Sequence, residues 1–477
     1  MVSFILSIIA LVLGYILYGK FVEKKFGVNP DKDTPAISKA DGVDFVPMGW
    51  GKIFLIQFLN IAGLGPIFGA IAGAMWGPIA FLWIVFGCIF AGGVHDFFSG
   101  MLSVRHGGAS IPEVVGKYLG TGFKQFMRLF SVVLLILVGV VFIKGPAAIL
   151  TGLTGLNITI LIVGIFVYYL LATMIPIDKL IGKIYPIFGV SLLVMALGIA
   201  GALVFGDFTI PELVPANLIN MHANPEKYPI FPMLFITIAC GAISGFHATQ
   251  SPLMARCMTN EKQGRKIFYG TMIAEGIVAL IWAAAAMSFF GGVEELGETM
   301  SIPGHNAAWV VNEICGSLLG KIGGALAILG VVAAPITSGD TAFRSARLTI
   351  ADSIKFPQVK LRQRLIITLP LFAVGLLLTQ VDFAIIWRYF GWANQTLATI
   401  VLWTAAMYMV TKGRSHWFAT IPATFMTAVV VTYILIAPEG FHFSSNIAYT
   451  VGLVSALITL TIFVLVSKKK YNKEVSE

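Results

Sequence analysis

Apolar stretches of about 20 residues recur along the chain and alternate with short polar segments. A helix of about 20 apolar residues spans the hydrocarbon core of a lipid bilayer. The pattern therefore predicts an all-α, polytopic membrane protein. We predict about thirteen transmembrane helices, at residues 2–18, 52–76, 78–104, 126–144, 157–175, 185–205, 231–255, 265–290, 320–343, 364–380, 383–410, 416–437 and 446–467.

The basic residues between these spans predict how the protein is oriented. Short loops rich in Lys and Arg usually face the cytoplasm. With the N-terminus outside and the C-terminus in the cytoplasm, all but four of the 32 Lys and Arg residues fall on the cytoplasmic side. One missed span would reverse every later loop, so this agreement supports the predicted number of spans. The four exceptions are Lys144, Lys227, Lys321 and Arg388.

The composition supports a membrane protein and argues against a nucleic-acid-binding protein. Of the 477 residues, 57% are hydrophobic and 12% are charged, and the mean hydropathy is +0.88. A soluble domain carries about twice that charged fraction. The net charge of +9 comes from basic residues dispersed over short loops. We therefore expect a lipid bilayer, and no nucleic acid, as the partner of this surface.

The sequence lacks the motifs of several enzyme and metal-site classes. Its four cysteines form no C-x-x-C pair, so neither a zinc site nor a disulfide framework is predicted. It contains no G-x-x-x-x-G-K-[ST], H-E-x-x-H or G-x-S-x-G motif. The sequence thus predicts neither an ATP-driven pump nor a familiar intramembrane hydrolase, and no cofactor is expected.

Two of the predicted spans are interrupted by glycines, and in each of them a proline follows the glycines. The second span reads KIFLIQFLNIAGLGPIFGAIAGAMWG, and the seventh reads FPMLFITIACGAISGFHATQSP. Glycine tolerates unwinding, and proline disfavours a helical residue before it. Each of these spans is the first in a set of five spans. Because a set with an odd number of spans ends on the opposite side of the membrane from where it begins, the second set must lie inverted relative to the first.

We therefore predict a LeuT-like 5+5 inverted repeat whose two broken helices meet near the membrane midplane. The alternative is that the glycines only permit close packing between helices. The expected segments are an N-terminal helix and cytoplasmic loop, the first repeat half, an extracellular loop, the second repeat half, and two C-terminal helices with a basic cytoplasmic tail. Their respective bounds are 1–51, 52–205, 206–230, 231–410 and 411–477.

Polar residues beside the predicted breaks are candidates for substrate binding, because polar groups at membrane depth are costly and usually face a cavity. Three-residue spacing gives the polar residues of each broken span a common helical face. Unwinding would also free backbone amides and carbonyls for a ligand. The alternative for the polar residues of the two broken spans is that their side chains cap the loosened backbone. The predicted substrate-binding residues are Gln57, Asn60, Gly63, Gly65, Ser244, Gly245, His247, Gln250, Asn394 and Gln395.

Three titratable residues within the spans are candidates for handling a coupling ion. His95 and Asp96 are adjacent, so we expect them to point in different directions around their helix and to form no metal site. Either residue, or Glu275 in the eighth span, could carry a proton. The alternative for Asp96 and Glu275 is structural ion pairing with a neighbouring span.

The ninth span carries a run of polar residues, VVAAPITSGDTAFRSAR, which we interpret as a further polar break. Hydroxyl and carboxylate oxygens suit a hard cation. In LeuT-type carriers the corresponding helix supplies hydroxyls to a sodium site against the first broken helix, which makes Thr337 and Ser338 candidate Na⁺ ligands. Asp340 is a further candidate for ion coupling, unless it only pairs with Arg344 one turn later.

Several of these segments together resemble the carbon starvation protein family, CstA. They are DGVDFVP (41–47), QFLNIAGLGPIFGAIAGAMWG (57–77), FAGGVHDFF (90–98), ACGAISGFHATQSP (239–252), SGDTAFRSAR (338–347) and FGWANQTLA (390–398). The resemblance implies an uptake system of the cell inner membrane that is expressed when carbon is scarce. Members of this family are associated with peptide uptake and with pyruvate import driven by protons.

The sequence and the resemblance together predict a symporter, not an enzyme, that imports a small carboxylate or short peptides with H⁺ or Na⁺. Half-helix N-termini at the two breaks would bind the carboxylate. Two other hypotheses stay open. One is a membrane nutrient sensor that binds ligand without net flux, and the other is an intramembrane enzyme built on His95, Asp96 or His247.

Overall fold

The computed structural model describes the backbone at residues 1–42, 45–174, 177–358 and 360–476. Side chains are described at the same residues apart from 173–185 and 470–476. Two positions of the 41–47 motif, Val43 and Asp44, lie outside the described residues, as does residue 175 of the predicted span 157–175.

The described residues form a bundle of α-helices. The β-type pairing among them is limited to one isolated β-bridge between Met48 and Met258. A one-turn helix at Pro35–Ser38 lies between the first two long elements. We number the helices α1 Val2–Phe26, α2 Trp50–Ile61, α3 Gly65–Trp76, α4 Ile79–Arg105, α5 Ile111–Leu119, α6 Thr121–Thr154, α7 Ile158–Met174, α8 Ile177–Phe205, α9 230–237, α10 Gly245–Ala255, α11 Glu261–Phe289, α12 Val293–Ser301, α13 Ala307–Ile354, α14 Leu361–Leu378, α15 Phe383–Thr411, α16 Trp417–Ile436 and α17 Ser445–Ser476.

The lengths and the surface of these helices fit a membrane. Within the described residues, nine helices are long and apolar enough to span a bilayer, and a tenth span results if α2 and α3 count as one. The outer faces of the bundle are strongly apolar, with Leu129 69%, Leu197 68% and Leu377 71% exposed. Such a surface is stable when it contacts lipid. The protein is therefore a multi-pass membrane protein.

The first predicted break is present between α2 and α3. The two helices are bent by 55° at the break. Ala62, with φ −81° and ψ +52°, leaves the helical conformation, and Gly65 and Pro66 then open the next helix. Proline at the start of a helix costs no hydrogen bond, because the first amides of a helix have no intrahelical partner. The sequence GLGP thus both ends α2 and starts α3.

The second predicted break lies between α9 and α10. Residues 238–244 are not helical, and α10 begins at Gly245. Ser244 is therefore not on the helical face that its spacing to His247 predicted. It has the extended conformation of a residue that precedes a helix, with φ −142° and ψ +120°.

The predicted polar break in the ninth span is wrong. Residues 333–354 form a continuous α-helix, and the discontinuity in α13 lies earlier, at Gly320, with φ +56° and ψ −143°. The polar run stays helical because its hydroxyls bond to carbonyls of the preceding turn. Thr337 Oγ1 donates to Ala334 O at 2.7 Å, and Thr341 Oγ1 donates to Ser338 O at 2.8 Å.

Candidate functional site

The two broken helices approach each other closely at their breaks. A Cβ atom on Gly65 would lie 2.2 Å from Cβ of Cys240, and one on Gly73 would lie 2.3 Å from Cγ1 of Ile238. Both distances are too short for any side chain larger than hydrogen. The glycines of α3 therefore allow the 237–240 segment to pack directly against it, and the two breaks form one buried region.

Asn394 of α15 holds the start of α10. Its Oδ1 accepts a hydrogen bond from the Phe246 amide at 2.6 Å, and its Nδ2 donates to Ser244 Oγ at 3.0 Å and to Cys240 Sγ at 3.3 Å. Asn394 and Ser244 are fully buried. The amide thus acts as a capping group from a neighbouring helix, since it satisfies a backbone N–H that the break leaves without an intrahelical partner.

Backbone packing also fixes this position. A Cβ atom on Gly245 would lie 2.3 Å from the Asn394 carbonyl oxygen and 2.6 Å from the Ala398 amide nitrogen. Gln395, the next residue of α15, donates through Nε2 to Phe235 O at 3.0 Å. Successive residues of α15 therefore bind both arms of the second broken helix.

Three ionisable side chains from three helices meet directly behind this break. His247 Nδ1 of α10 lies 2.8 Å from Asp96 Oδ2 of α4, and His247 Nε2 lies 3.3 Å from Glu275 Oε2 of α11. All three side chains are fully buried. We call Asp96, His247 and Glu275 the carboxylate–histidine cluster. Such groups are expensive within a membrane and are retained where they pair or move an ion.

His95 extends this cluster, which corrects the expectation that it points away from Asp96. His95 Nδ1 lies 2.7 Å from Asp96 Oδ1, so both carboxylate oxygens of Asp96 contact an imidazole ring. The residues are adjacent on α4, but their side chains are long enough to curl toward each other. Within the part of the chain that the structure describes, no three His, Cys, Asp or Glu side chains are arranged to hold a metal ion.

Several buried amide groups near the breaks have polar atoms without a hydrogen-bond partner among the described residues. Both side-chain atoms of Asn60 belong to this set, one residue before the end of α2. Such atoms are rare in folded proteins and commonly bind water or a ligand. The others are Oε1 of Gln57, Gln250 and Gln395.

The amide nitrogens of the three glutamines are used within the protein, and that of Gln395 binds Phe235 O as described above. Gln57 Nε2 donates to Ser251 Oγ at 3.4 Å, which connects α2 to α10, while Gln250 Nε2 donates to its neighbour Thr249 at 2.9 Å. Ser251 and Cys240 were missed by the sequence reasoning. A signal for Ser251 existed, because it lies one helical turn after His247, and its hydroxyl donates to the His247 carbonyl at 2.9 Å.

The hydroxyls predicted to bind a cation lie against the end of α2. Ser338 Oγ is 3.0 Å from Leu59 O and 3.0 Å from Ala334 O. The Thr337 hydroxyl contacts the same Ala334 carbonyl. Two carbonyl and two hydroxyl oxygens thus converge where the first broken helix contacts α13, and such oxygen donors suit a hard cation.

Asp340 is separate from the carboxylate–histidine cluster and has a different partner. Its Oδ2 lies 3.5 Å from the Arg344 NH2 nitrogen one turn later, and that nitrogen also donates to Ala172 O at 3.0 Å. Both side chains are buried. The predicted ion pair within α13 is therefore present, and it connects this helix to α7.

A large cavity opens at the end of the bundle that carries the 206–230 loop and α12. Its volume is about 1090 Å³. Phe68 of α3, Thr237 of α9 and Trp387 of α15 place part of its wall beside the two breaks. We call this cavity the vestibule. Its other lining residues include Met75, Trp76, Met221, His222, Tyr228, Met233, Ile236, Glu294, Glu298, Asn306, Phe383, Arg388 and Tyr433.

Solved structures of membrane transporters share this fold. The manganese transporter of Eremococcus coleocola has a TM-score of 0.53 and 10% identity, covering 90% of this chain and 97% of that one. Mhp1, a nucleobase-cation-symport-1 family transporter, has a TM-score of 0.52 and 15% identity, covering 89% and 95%. At such low identity the similarity is one of fold, and the fold is found in membrane transporters.

The family follows from the sequence. The protein-family model described as "Carbon starvation protein CstA" matches residues 1–151, 146–317 and 297–433. The chain therefore belongs to the carbon starvation protein CstA family.

Three relatives illustrate the range of names within the family. A membrane protein of Haemophilus influenzae named only as uncharacterized is 44% identical, covering 63% of this chain and 94% of that protein. The peptide transporter CstA of Campylobacter jejuni is 30% identical over 56% of this chain, and the pyruvate/proton symporter BtsT of Escherichia coli is 28% identical over 59%. The matches span 47% and 48% of these two longer proteins.

Proposed function

We propose that this protein is a secondary active transporter that imports a small carboxylate such as pyruvate, or short peptides, together with a cation. The observation that carries the proposal is the carboxylate–histidine cluster, which lies on the second broken helix and joins it to two other helices. The names of the relatives, a peptide transporter and a pyruvate/proton symporter, support the same substrate classes.

The cluster offers a means of coupling to H⁺. A neutral imidazole has one N–H donor, whereas a protonated imidazole has two. With both ring nitrogens of His247 protonated, Nδ1 donates to Asp96 and the charged ring attracts the Glu275 carboxylate 3.3 Å from Nε2, so α10 is bound to α4 and α11 together. When neither His247 nor one of the two carboxyl groups carries this additional proton, a single hydrogen remains between the ring and its two partners. One of the two contacts is then lost. Proton uptake and release would therefore change how firmly the broken helix is held.

The substrate is expected to bind where the two breaks meet. The unwound backbone at residues 62–64 and 238–244 offers amides and carbonyls, and the helix N-termini at Gly65 and Gly245 favour a carboxylate. Asn60 supplies buried donor and acceptor atoms that make no hydrogen bond within the described residues. His247 belongs to both the break and the cluster, so substrate binding and proton binding would act on the same helix.

Sodium is the second candidate for the coupling ion, and the convergence of oxygens around Ser338 favours it. A Na⁺ ion bound to Leu59 O, Thr337 Oγ1 and Ser338 Oγ would fasten the end of α2 to α13. The two candidate cation sites lie on opposite broken helices, so imposed ion gradients can separate their contributions.

We further propose thirteen transmembrane helices with a 5+5 inverted repeat, in the inner membrane, with the N-terminus outside and the C-terminus in the cytoplasm. The division of the chain at 1–51, 52–205, 206–230, 231–410 and 411–477 belongs to this proposal. It is supported by the basic residues of the loops and by the equivalent positions of the two broken helices. In this orientation the vestibule opens to the outside.

Uptake of labelled pyruvate and labelled dialanine into proteoliposomes tests the function. A proton gradient, a sodium gradient or no gradient is imposed, and counterflow is measured in parallel. Accumulation of either compound that depends on a gradient supports a symporter. Absence of both accumulation and counterflow, despite binding, would instead indicate a sensor without flux.

A further inference from the structure

We propose that Arg388 forms a carboxylate-binding site in the vestibule, which the substrate occupies before it reaches the two breaks. Glu439 holds the guanidinium group in place for this purpose. The inference rests on the proposed function, because it assumes that the transported molecule carries a carboxylate. It assigns a specificity-determining role to a residue that the sequence pattern marked only as an exception to the cytoplasmic placement of Lys and Arg.

The position of Arg388 supports this role. Arg388 lines the vestibule one residue after Trp387, and Trp387 reaches Phe68 of the first broken helix with ring centroids 5.9 Å apart. The guanidinium group is therefore in the same cavity wall as the residues next to the breaks. A ligand bound there would be at the entrance to the proposed substrate site.

The charges of the vestibule single out Arg388. Arg388 is the only Lys or Arg among the described residues that line the vestibule. The acidic lining residues are Glu294 and Glu298 on α12. His222 also lines the cavity, but burial lowers the pKa of its imidazole, which disfavours a charge on this ring. Arg388 is thus the permanent cation that a carboxylate entering this cavity can meet.

The pairing of Arg388 leaves part of the guanidinium available. Arg388 Nε lies 2.9 Å from Glu439 Oε2. Within the described residues, the Arg388 side chain makes this one hydrogen-bonded ion pair. The Arg388 side chain is 34% exposed, whereas the Glu439 side chain is 4% exposed. A guanidinium group binds a carboxylate through two parallel N–H groups. The contact through Nε leaves the two terminal nitrogens for that purpose.

Glu439 itself is held firmly, which fits a positioning residue. Tyr433 of α16 donates its hydroxyl hydrogen to Glu439 Oε1, and Tyr389 donates to the Glu439 carbonyl oxygen at 3.1 Å. Arg388 and Tyr389 of α15 thus both bind Glu439, which follows α16. The alternative is that this arrangement only fastens the 437–444 connection to the bundle.

Binding measurements on the full-length protein distinguish these two roles. Quenching of tryptophan fluorescence reports equilibrium binding of pyruvate, dialanine and their analogues without a carboxylate, methyl pyruvate and dialanine amide, to the purified protein. Arg388→Gln is expected to weaken binding of the charged probes by about tenfold or more, because a charge-assisted hydrogen-bond pair is lost. Binding of the analogues without a carboxylate should not be weakened in this variant.

Glu439→Gln and Lys227→Gln are the controls. Glu439→Gln removes the negative charge but keeps a side-chain oxygen that can accept from Arg388 Nε, so the guanidinium group stays in place and a binding role predicts unchanged or tighter binding of the charged probes. A purely structural role predicts that it weakens binding as much as Arg388→Gln does, and that result would overturn the proposal. Lys227→Gln removes a nearby cation that does not line the vestibule and should change binding by less than about twofold.

Transport by the same variants separates this proposal from the proposed function. Arg388-dependent binding without uptake into proteoliposomes would retain the vestibule site and reject the transport function. Gradient-driven uptake with the same KM in the wild type and Arg388→Gln would retain the function and overturn the site. Failure of the wild type to bind pyruvate or dialanine would overturn the site as well.

Discussion

His247 Nδ1 lies 2.8 Å from Asp96 Oδ2, although the two residues are 151 positions apart in the chain. This contact joins the second broken helix to α4, and the opposite nitrogen of the same ring reaches Glu275 of α11. A single titratable ring thus connects three helices at the point where the chain is unwound. In our account, this connection couples ion movement to substrate movement.

Replacement of His247 by Gln should reduce gradient-driven accumulation by about 5- to 150-fold, the range expected when a coupling free energy is lost. Gln keeps a polar side chain but cannot bind a proton at neutral pH. His416→Gln is the matched control, because His416 bonds locally to Thr420 Oγ1 at 2.8 Å and lies far from the cluster in the chain. Equal accumulation by the wild type and His247→Gln would contradict the role of the cluster.

Asn394→Ala should destabilise the folded protein by about 1–3 kcal/mol, because the Phe246 amide and the Ser244 hydroxyl lose their partner in a buried site. Thermal unfolding monitored in detergent provides the measurement. Thr396→Ala is the control, since its hydroxyl donates to Trp392 O within the same helix. A melting temperature as high as that of the control would show that Asn394 does not hold the break.

Gly245→Ala should impair both folding and transport, because the added Cβ would meet backbone atoms of Asn394 and Ala398 that cannot move aside cheaply. A cost of about 1–3 kcal/mol is typical of such overpacking. Gly201→Ala serves as the control, as a Cβ at Gly201 meets no atom within 4 Å. If the yield of folded protein and its transport rate are the same for both variants, the close approach of α10 and α15 is contradicted.

The sodium alternative makes its own prediction at Thr337. If Na⁺ drives uptake, Thr337→Val should raise the sodium concentration needed for half-maximal uptake by about 10- to 100-fold. Thr341→Val is a matched control, because Thr341 bonds to Ser338 O within α13. Sodium dependence that is absent, or that responds equally to both substitutions, would exclude the hydroxyl site as the coupling site.

The features that could be predicted from the sequence are those with local causes. Gly63, Gly65 and Pro66 lie in an apolar stretch, and unwinding there follows from the conformational freedom of glycine and the missing amide of proline. The break between α2 and α3 accordingly falls at residues 62–64. The span pattern likewise depends on hydropathy over about 20 residues, which a sequence displays directly.

The features that were missed depend on tertiary contacts. Helical periodicity indicated that His95 and Asp96 diverge, yet their side chains contact each other because Asp96 lies between two imidazole rings. The polar run around Ser338 indicated a break, but local hydroxyl bonds keep it helical. Nor could spacing show that Asn394 caps α10, since that contact spans 148 residues.

The most direct test of the account is proton movement during transport. Proteoliposomes with a pH-sensitive dye in the lumen receive external pyruvate or dialanine, and lumenal pH and labelled-substrate counterflow are recorded for the wild type and for Glu275→Gln. We predict that the transported substrate acidifies the lumen of wild-type vesicles, and that Glu275→Gln retains counterflow but loses the acidification. Uptake by the wild type without any proton movement, or full acidification by Glu275→Gln, would contradict proton coupling through the carboxylate–histidine cluster.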